Sequence, residues 1–367
     1  MKYHNERHLA GSRSRLWSIA AVTAAMVMAC GGAQAEVPSS GTVIMFGQSR
    51  ENPYFGQNAV GAADVGKKFG WDLTYIEASS QEQQDSAIQQ MLATGKKPLG
   101  IILNPVSGAA AVASELAIKQ AGLPLVLLNQ VPSKEQADLF DAYAGVNDYN
   151  SGVDAARLLS AGAKKAGIEL GNGLIVNTVA GHTAAQQRVE GFTSEMKKLF
   201  PANSTILANV NSGGYLENEG YSVGSQIIPA NRGKFNWVYG VNDALAFGAL
   251  RAAKENGIVP GKDVLFVGGT CMNPTTNAAV MKGELVGTSV QAPYIEGAAA
   301  MYALAAFLNT GKVINDEVNL SADAPPSVDV PPHKWGFMPN TMLDGSKGSY
   351  ENIKIWGKTP KELCNYS

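Results

Sequence analysis

The sequence alternates short runs of apolar, often β-branched residues with stretches in which apolar residues recur every three or four positions. The runs predict strands, and the stretches predict amphipathic helices. Ile295, Ala299 and Tyr302, for example, lie on one face of a predicted helix that ends at Gly311. Most runs are apolar throughout, which is typical of parallel sheets covered by helices on both faces. Strands are predicted at residues 42–46, 72–76, 100–103, 125–128, 174–179, 237–240, 264–268 and 286–290.

The regular succession of strand and helix predicts the α/β class. At 367 residues the chain is too long for one ordinary core, because domains usually have about 100–200 residues. We therefore expect two doubly wound lobes, each built on a parallel sheet. Residues 141–152 form a polar, glycine-containing stretch at a suitable boundary between them. Proline pairs and the Gly/Ser-rich residues 344–349 predict an irregular tail.

Charged residues make up 16% of the chain, below the usual value of about 25%. The 29 basic and 31 acidic side chains give a net charge of −2, so there is no basic excess to neutralise a phosphate backbone. The apolar content of 45% excludes a disordered chain. The charge balance disfavours nucleic acid as a partner.

The first 35 residues have the pattern of a secretory signal peptide. Four basic residues precede an apolar run over residues 16–29, and the small-residue site Ala33-Gln34-Ala35 follows. The run is shorter than the roughly 20 residues that cross a bilayer, and no later segment comes closer. We therefore expect an exported, periplasmic protein. An alternative is lipoprotein processing, with Cys30 acylated after Val27-Met28-Ala29 and the chain tethered to a membrane.

After the leader the chain offers little catalytic chemistry. Two cysteines remain, Cys271 and Cys364, which are too few for a disulfide scaffold; a disulfide and two free thiols both stay open. Two histidines remain, and neither lies in a zinc-ligand spacing. Phosphate-loop, dinucleotide and nucleophile-elbow motifs are absent from the sequence. We predict no metal, no cofactor and no enzyme; the alternative would be an exported enzyme that uses His182 with Asp243 or Glu190.

Uncharged amides and hydroxyls follow the carboxyl ends of the predicted strands, where open α/β sheets bind ligands. The residues at these ends are Gln48, Ser49, Asn52, Asn104, Asn129, Gln130, His182, Thr183, Asn242, Asp243, Thr270 and Gln291. Amides and hydroxyls form hydrogen bonds without titrating, which suits a neutral polyhydroxylated ligand. The alternative is that these residues only cap helices and form turns.

Three aromatic residues accompany the strand ends. Tyr54 and Phe55 follow Asn52-Pro53 at the start of the first helix, and Tyr215 follows the Gly-rich residues 212–214. Aromatic rings can cover the C–H surface of a sugar while amides bind its hydroxyls. For Phe55 the alternative is packing in a core.

Several segments together resemble the periplasmic sugar-binding proteins of the ribose- and galactose-binding type. They include the Asn-Pro-Tyr-Phe motif at 52–55, the Asn-Asp motif at 242–243, and Gln291 after the last strand. The other matching segments are residues 125–129, 183–192 and 267–269, and the ordered set extends along residues 42–319. Lactose-repressor-like regulators share this two-lobed fold, but here a signal peptide takes the place of a DNA-binding headpiece.

The resemblance implies two lobes joined by a three-strand hinge that closes on a ligand. The implied first lobe comprises residues 36–147 and 292–325, and the second comprises 148–291 and 326–367. The chain would cross between them near residues 146–150, at Gln291 and within 321–334. The implied function is to capture a small polar ligand, a sugar or sugar-like molecule, and deliver it to an ABC permease. Presentation of the closed form to a chemoreceptor or sensor kinase is the alternative.

The predicted ligand-binding residues combine the motif positions with the strand-end residues. They are Asn52, Tyr54, Phe55, Asn129, Gln130, Gln186, Arg188, Tyr215, Asn242, Thr270 and Gln291. Ribose binders carry an acid and an arginine at the positions of Asn129 and Gln130, an arginine at Gln186 and an acid at Thr270. The neutral replacements predict a cleft with few ionisable groups. They favour an unusual sugar, a polyol or a related molecule bound mainly by neutral amides.

Overall fold

The computed structural model describes residues 37–202, 205–271, 274–311, 335–338, 342–346, 351–352 and 359–364. The predicted signal peptide, Cys30 and the predicted crossing at 321–334 lie outside the described residues. Within the described part of the chain, no helix is both long enough and apolar enough to cross a membrane.

Strands and helices alternate along the chain as the sequence pattern predicts. The strands are β1 (Gly41–Gln48), β2 (Trp71–Ala78), β3 (Gly100–Leu103), β4 (Leu125–Leu128), β5 (Ala142–Val146), β6 (Gly173–Asn177), β7 (Ile206–Asn211), β8 (Trp237–Gly240), β9 (Leu265–Val267), β10 (Thr288–Ser289), β11 (Trp335–Met338) and β12 (Met342–Leu343). The helices are α1 (Pro53–Lys68), α2 (Gln81–Ala93), α3 (Val112–Gln120), α4 (Asp148–Ala166), α5 (Thr183–Leu199), α6 (Glu217–Ala230), α7 (Asp243–Glu255), α8 (Pro274–Met281), α9 (Pro293–Thr310) and α10 (Pro360–Leu363).

The first lobe is the part of the chain around a six-stranded parallel sheet with the order β11-β5-β4-β3-β1-β2. Successive residues of β1 face opposite sides of this sheet, so Val43 and Met45 enter one apolar core while Ile44 and Phe46 enter another. Helices α1 and α9 pack together on one face, and α2 and α3 pack together on the other. The strand is buried on both sides, which explains why its sequence is apolar throughout.

The second lobe surrounds a four-stranded parallel sheet with the order β7-β6-β8-β9. Helices α4 and α5 pack against each other, as do α6 and α7. The chain passes from the first lobe to the second between β5 and α4, and it returns after β10 at the start of α9. The α/β class with parallel sheets in two lobes is confirmed.

Two strands within the regular alternation of strands and helices, β5 and β7, were not predicted from the sequence. Strand β5 lies inside the stretch interpreted as a polar boundary, yet all five of its residues are buried. The polar residues Asp141 and Asn147 flank these five residues, and so short an apolar run between polar neighbours does not stand out in the sequence. Strand β7 is an edge strand whose residues are partly or fully exposed, so its sequence lacks a continuous apolar run. Conversely, the strand predicted at 286–290 is only two residues long, because Thr288 and Ser289 alone pair with β12.

The irregular tail contains regular pairings that the sequence did not predict. Strand β11 pairs in parallel with β5 in the first sheet, although the implied boundary assigned residues after 325 to the second lobe. Strand β12 returns to the second lobe and pairs antiparallel with β10. Cys364 then forms a disulfide with Cys271, with a Cα–Cα distance of 5.2 Å. This pairing resolves the question that the sequence left open.

Candidate functional site

A small cavity of about 40 Å³ lies between the two lobes at the carboxyl ends of their strands. Its lining residues are Asn52, Tyr54, Phe55, Asn129, His182, Arg188, Tyr215, Asn242, Thr270 and Gln291. Nine of the eleven predicted binding residues therefore meet in one place, and His182 joins them. Their contact with a ligand stays a prediction.

Two predicted residues do not line the cavity. Gln186 is exposed on α5, two positions before the buried Arg188. Residues two apart on a helix point about 200° from each other, so Gln186 faces solvent when Arg188 faces the cavity. Gln130 is buried, but its amide is bonded to main-chain atoms and to Thr183 instead of reaching the cavity. Gln130 was predicted from its place at a strand end and Gln186 from the family resemblance, and neither kind of evidence says where a side chain points.

Three lining residues also cap the helices that follow their strands. The side chains of Asn52, His182 and Asn242 accept hydrogen bonds from first-turn N–H groups of α1, α5 and α7. Strand-end polar residues are thus both caps and cavity lining, so the two interpretations of the sequence are compatible. Capping fixes each side chain at the cavity edge because the helix N-terminus itself points there.

Asn129 has a left-handed backbone, with φ of 68°. Asparagine tolerates this region better than most residues. The hydroxyl of Tyr143 donates to the Asn129 carbonyl at 2.9 Å and so supports the turn. The side-chain Nδ2 of Asn129 donates to the Tyr54 hydroxyl at 3.1 Å. The turn directs this amide toward the aromatic side of the cavity.

Arg188 is the cation of the site. Its Nε donates to Asp148 Oδ1 at 2.7 Å, one Nη donates to the Val241 carbonyl at 3.1 Å, and the other donates to Gln291 Oε1 at 2.8 Å. The ion pair is buried, with side chains 6% and 0% exposed. Burial raises the pKa of Asp148 to about 6, although Arg188 opposes this shift. Both partners are therefore charged at neutral pH.

Glu296 is a second buried carboxylate beside the cavity, and sequence reasoning missed it. The Tyr54 hydroxyl donates to its Oε2, as does Asn58 at 3.3 Å, and Gln291 donates to its Oε1 at 3.1 Å. Burial raises the pKa of Glu296 to about 7, against the effect of the bonds from Tyr54 and Gln291. A signal existed in the sequence, since Glu296 is the only Asp, Glu, Lys or Arg within α9.

Asp243 is a third buried carboxylate, at the start of α7. Its Oδ1 accepts bonds from the Thr270 N–H at 3.2 Å and from the Thr288 hydroxyl at 2.7 Å. Burial raises its pKa to about 7. None of the three carboxylates lines the cavity, where Arg188 and His182 are the ionisable side chains besides two tyrosines, so the prediction of a cleft with few ionisable groups stays a prediction. The three carboxylates contact lining residues from α4, α7 and α9, and of the three only Asp243 belongs to a motif recognised in the sequence.

The aromatic side chains form a contact across the cavity. The Phe55 ring lies edge-to-face with Tyr54 at 5.5 Å in its own lobe and with Tyr215 of the second lobe at 6.2 Å. His182 lies 5.2 Å from the Tyr215 ring. Phe55 also packs in a small apolar cluster with Tyr54 and Ala244. The rings therefore serve the cavity and the packing at once.

Residues 43–312 match the family described as periplasmic binding protein domain. The chain belongs to the periplasmic binding protein family. The ribose import binding protein of Salmonella typhimurium is 27% identical over 255 residues, which are 69% of this chain and 79% of that relative. The galactofuranose-binding protein of Escherichia coli is 26% identical over 65% of this chain and 79% of the relative. The structure of a periplasmic ribose ABC transporter from Conexibacter woesei matches with a TM-score of 0.69 at 21% identity. The match covers 91% of this chain and 100% of that chain.

The relatives of this periplasmic binding protein are themselves named as binding or transport proteins, and His182 fits such a role. Its Nδ1 accepts the Ala185 N–H at 3.2 Å, so the neutral ring carries its proton on Nε2. Burial, with help from Arg188, lowers the pKa of His182 to about 3. A ring that stays neutral to so low a pH is a hydrogen-bond donor and a poor general base.

The carboxylates proposed as partners of His182 are engaged or placed elsewhere. Asp243 accepts bonds from Thr270 and Thr288, and Glu190 is exposed on α5 whereas His182 is buried. Among the described residues of this periplasmic binding protein, no three His, Cys, Asp or Glu side chains are grouped as a metal site.

Proposed function

We propose that this protein binds a small neutral sugar or polyol between its lobes and delivers it to an ABC permease. One observation carries the proposal: amides, a guanidinium, a neutral imidazole and aromatic rings from both lobes line a single interlobe cavity. Amides and Arg188 bind hydroxyls, and aromatic rings cover C–H surface. The ribose and galactofuranose that name the two relatives belong to this ligand class.

The charges around the cavity support a neutral ligand. Arg188 makes three hydrogen bonds, one of them to its counter-ion Asp148. Two of its five N–H groups have no acceptor in the described part of the chain and can donate to a ligand hydroxyl. An anionic ligand would meet Glu296 and Asp243 nearby, and a cationic one would meet Arg188. The charge of such a ligand would be buried without a counter-ion, because Arg188 is already paired with Asp148. An unpaired buried charge is costly.

The Tyr215 hydroxyl supports a hydroxyl-bearing ligand. It is buried and has no hydrogen-bond partner among the described residues. Burial raises its pKa further above the ordinary value for tyrosine, so the group stays protonated. A buried polar group without a partner is costly, and a ligand hydroxyl in the cavity would satisfy it.

We further propose a ligand other than ribose and a role without catalysis. The positions of Asn129 and Thr270 are acidic in ribose binders, and both residues line the cavity here. Neutral amide and hydroxyl groups form weaker bonds to a sugar than carboxylates do. We also propose that residues 1–35 direct export to the periplasm and are removed after Ala35.

A thermal-shift screen tests the ligand class. The protein is expressed with its own leader, purified from the periplasmic fraction and screened against ribose, galactofuranose, other neutral sugars, polyols, sugar acids and amino sugars. A ligand at 100 times its Kd stabilises by about 2.7 kcal/mol, so a neutral sugar or polyol should raise the Tm by several degrees. The largest shift with a charged compound, or no shift with any neutral one, would contradict the proposal.

Two further measurements sharpen the result. Tyr215→Phe should lower the affinity for the ligand found in the screen about tenfold, whereas Tyr221→Phe on the outside of α6 should leave it unchanged. Intact mass of the purified protein reports cleavage after Ala35 or acylation at Cys30. The family-typical binding of ribose would overturn the choice of ligand while leaving the binding function in place.

A further inference from the structure

We propose that Gln130 is a closure latch, which holds the two lobes together and does not touch the ligand. The proposal rests on the proposed function in one respect, that closure of the lobes accompanies binding. It gives a buried polar residue of the first lobe a role in setting how readily the cavity closes.

All of the hydrogen-bonding capacity of the Gln130 amide is used by the protein. Its Nε2 donates to the carbonyls of Pro105 at 2.6 Å and Val106 at 3.0 Å in the first lobe. Its Oε1 accepts from the Gly108 N–H at 3.0 Å. The same oxygen accepts from the N–H and the hydroxyl of Thr183 in the second lobe, at 3.2 and 3.3 Å. The side chain therefore joins the lobes and has nothing left for a ligand.

The left-handed turn at Asn129 explains why two adjacent amides have different tasks. Asn129 donates to Tyr54 at the cavity, whereas Gln130 enters the loop between β3 and α3. Gln130 is 1% exposed, so this placement is fixed by its surroundings.

Thr183 is the first residue of α5, and its N–H has no acceptor within the helix. In this structure the oxygen of Gln130 satisfies this N–H from the opposite lobe. When the lobes separate, water must replace it. The latch therefore acts on the N-terminus of α5, whose capping residue His182 lines the cavity.

Two glycines allow the lobes to meet at this seam, which we define as Ser107, Gly108 and Gln130 of the first lobe with Gly181 and Thr183 of the second. A β-carbon at Gly108 would lie 2.8 Å from the Thr183 hydroxyl and 3.2 Å from its methyl group. A β-carbon at Gly181 would lie 3.1 Å from the Ser107 hydroxyl. A larger residue at Gly108 should therefore keep the lobes apart.

Single-molecule energy transfer on the full-length mature protein tests the latch without a ligand. Dyes are attached through Lys96→Cys in the first lobe and Lys234→Cys in the second, both exposed. We expect a measurable closed population in buffer. Gln130→Ala and Gly108→Val should lower the ratio of closed to open molecules at least about fivefold, and Thr183→Val should lower it less because the backbone N–H remains. The matched controls Gln89→Ala and Gly171→Ala, which lie away from the seam, should leave the ratio unchanged.

The outcomes separate the latch from the proposed function. An unchanged ratio in Gln130→Ala, or no closed population in the parent protein, would overturn the latch. If Gly108→Val fails to fold, Gln130→Ala and Thr183→Val still decide. Neutral sugars that close the parent protein and Gln130→Ala with equal midpoints would leave the function standing and the latch refuted. A lower ratio in Gln130→Ala, with no sugar or polyol closing either protein, would support the latch and refute the proposed function.

Discussion

The Tyr54 hydroxyl donates to Oε2 of Glu296, which lies 242 positions further along the chain. This bond joins α1, which follows the first strand, to α9, with which the chain returns to the first lobe after β10. Tyr54 also accepts a bond from Asn129, so the carboxylate of Glu296 indirectly positions two residues of the cavity lining.

Glu296→Ala is expected to lower the free energy of unfolding by about 3 kcal/mol. The change removes one acceptor each from the Tyr54 hydroxyl and the amides of Asn58 and Gln291, although Asn58 keeps its bond to the Pro293 carbonyl, and a buried group left unsatisfied costs about 1–3 kcal/mol. Glu296→Gln keeps an acceptor oxygen and should cost less. Urea unfolding checks this result, with the exposed Glu190→Ala as the control. Equal losses for the alanine and glutamine variants would contradict this prediction, because Glu296→Gln keeps both the side-chain volume and one acceptor oxygen.

Phe55→Ala is expected to lower the affinity for the identified ligand at least tenfold. The Phe55 ring packs against Tyr54 in its own lobe and against Tyr215 across the cavity. Its removal takes away apolar surface that we expect to cover the ligand. Calorimetric titration measures the change. Phe69→Ala, which removes a ring packed on Trp71 away from the cavity, should destabilise the fold but preserve the affinity. Unchanged affinity in Phe55→Ala would assign this ring to core packing alone.

Loss of the Cys271–Cys364 disulfide is expected to lower the free energy of unfolding by about 2–4 kcal/mol, because the bond closes a long loop in the unfolded chain. The two cysteines are 93 positions apart. Urea unfolding with and without a reductant measures the effect. The double variant Cys271→Ser/Cys364→Ser should match the reduced protein and be insensitive to reductant. Identical stability of the oxidised and reduced proteins would contradict this prediction.

Glu115→Gln is expected to change how stability depends on pH. Glu115 is 0% exposed and accepts bonds from Gln136 Nε2. Burial raises its pKa to about 7, although Gln136 opposes the shift. The folded protein thus holds a proton that the unfolded chain releases from about pH 4.5 upward. The stabilising contribution is complete below that pH and is lost as pH rises through about 7.

The Glu115→Gln variant lacks this titration, so its stability relative to the parent protein should rise between pH 5 and pH 8, by an amount on the order of 3 kcal/mol. Urea unfolding at several pH values tests the difference. Glu296 and Asp243 also titrate here, but they are present in both proteins. The exposed Glu82→Gln should show no such trend. Parallel pH profiles for the parent protein and Glu115→Gln would refute the assignment.

The sequence by itself determined the α/β class, the two lobes and most of the strand-end residues that meet in the cavity. It could do so because apolar periodicity and helix caps are local properties. Asn52 and Asn242 reach the cavity since each caps a helix whose N-terminus points there.

Only the tertiary structure decided what these residues touch. Asn129 and Gln130 are adjacent amides that the sequence predicts equally as ligand-binding residues. The left-handed turn at Asn129 directs the side chain of Asn129 to Tyr54 and that of Gln130 to Thr183. Glu296 became part of the site because α9 packs against α1, far away in sequence. Such contacts depend on how distant segments pack and on where a single turn aims a side chain, and neither property is contained in any local stretch of the chain.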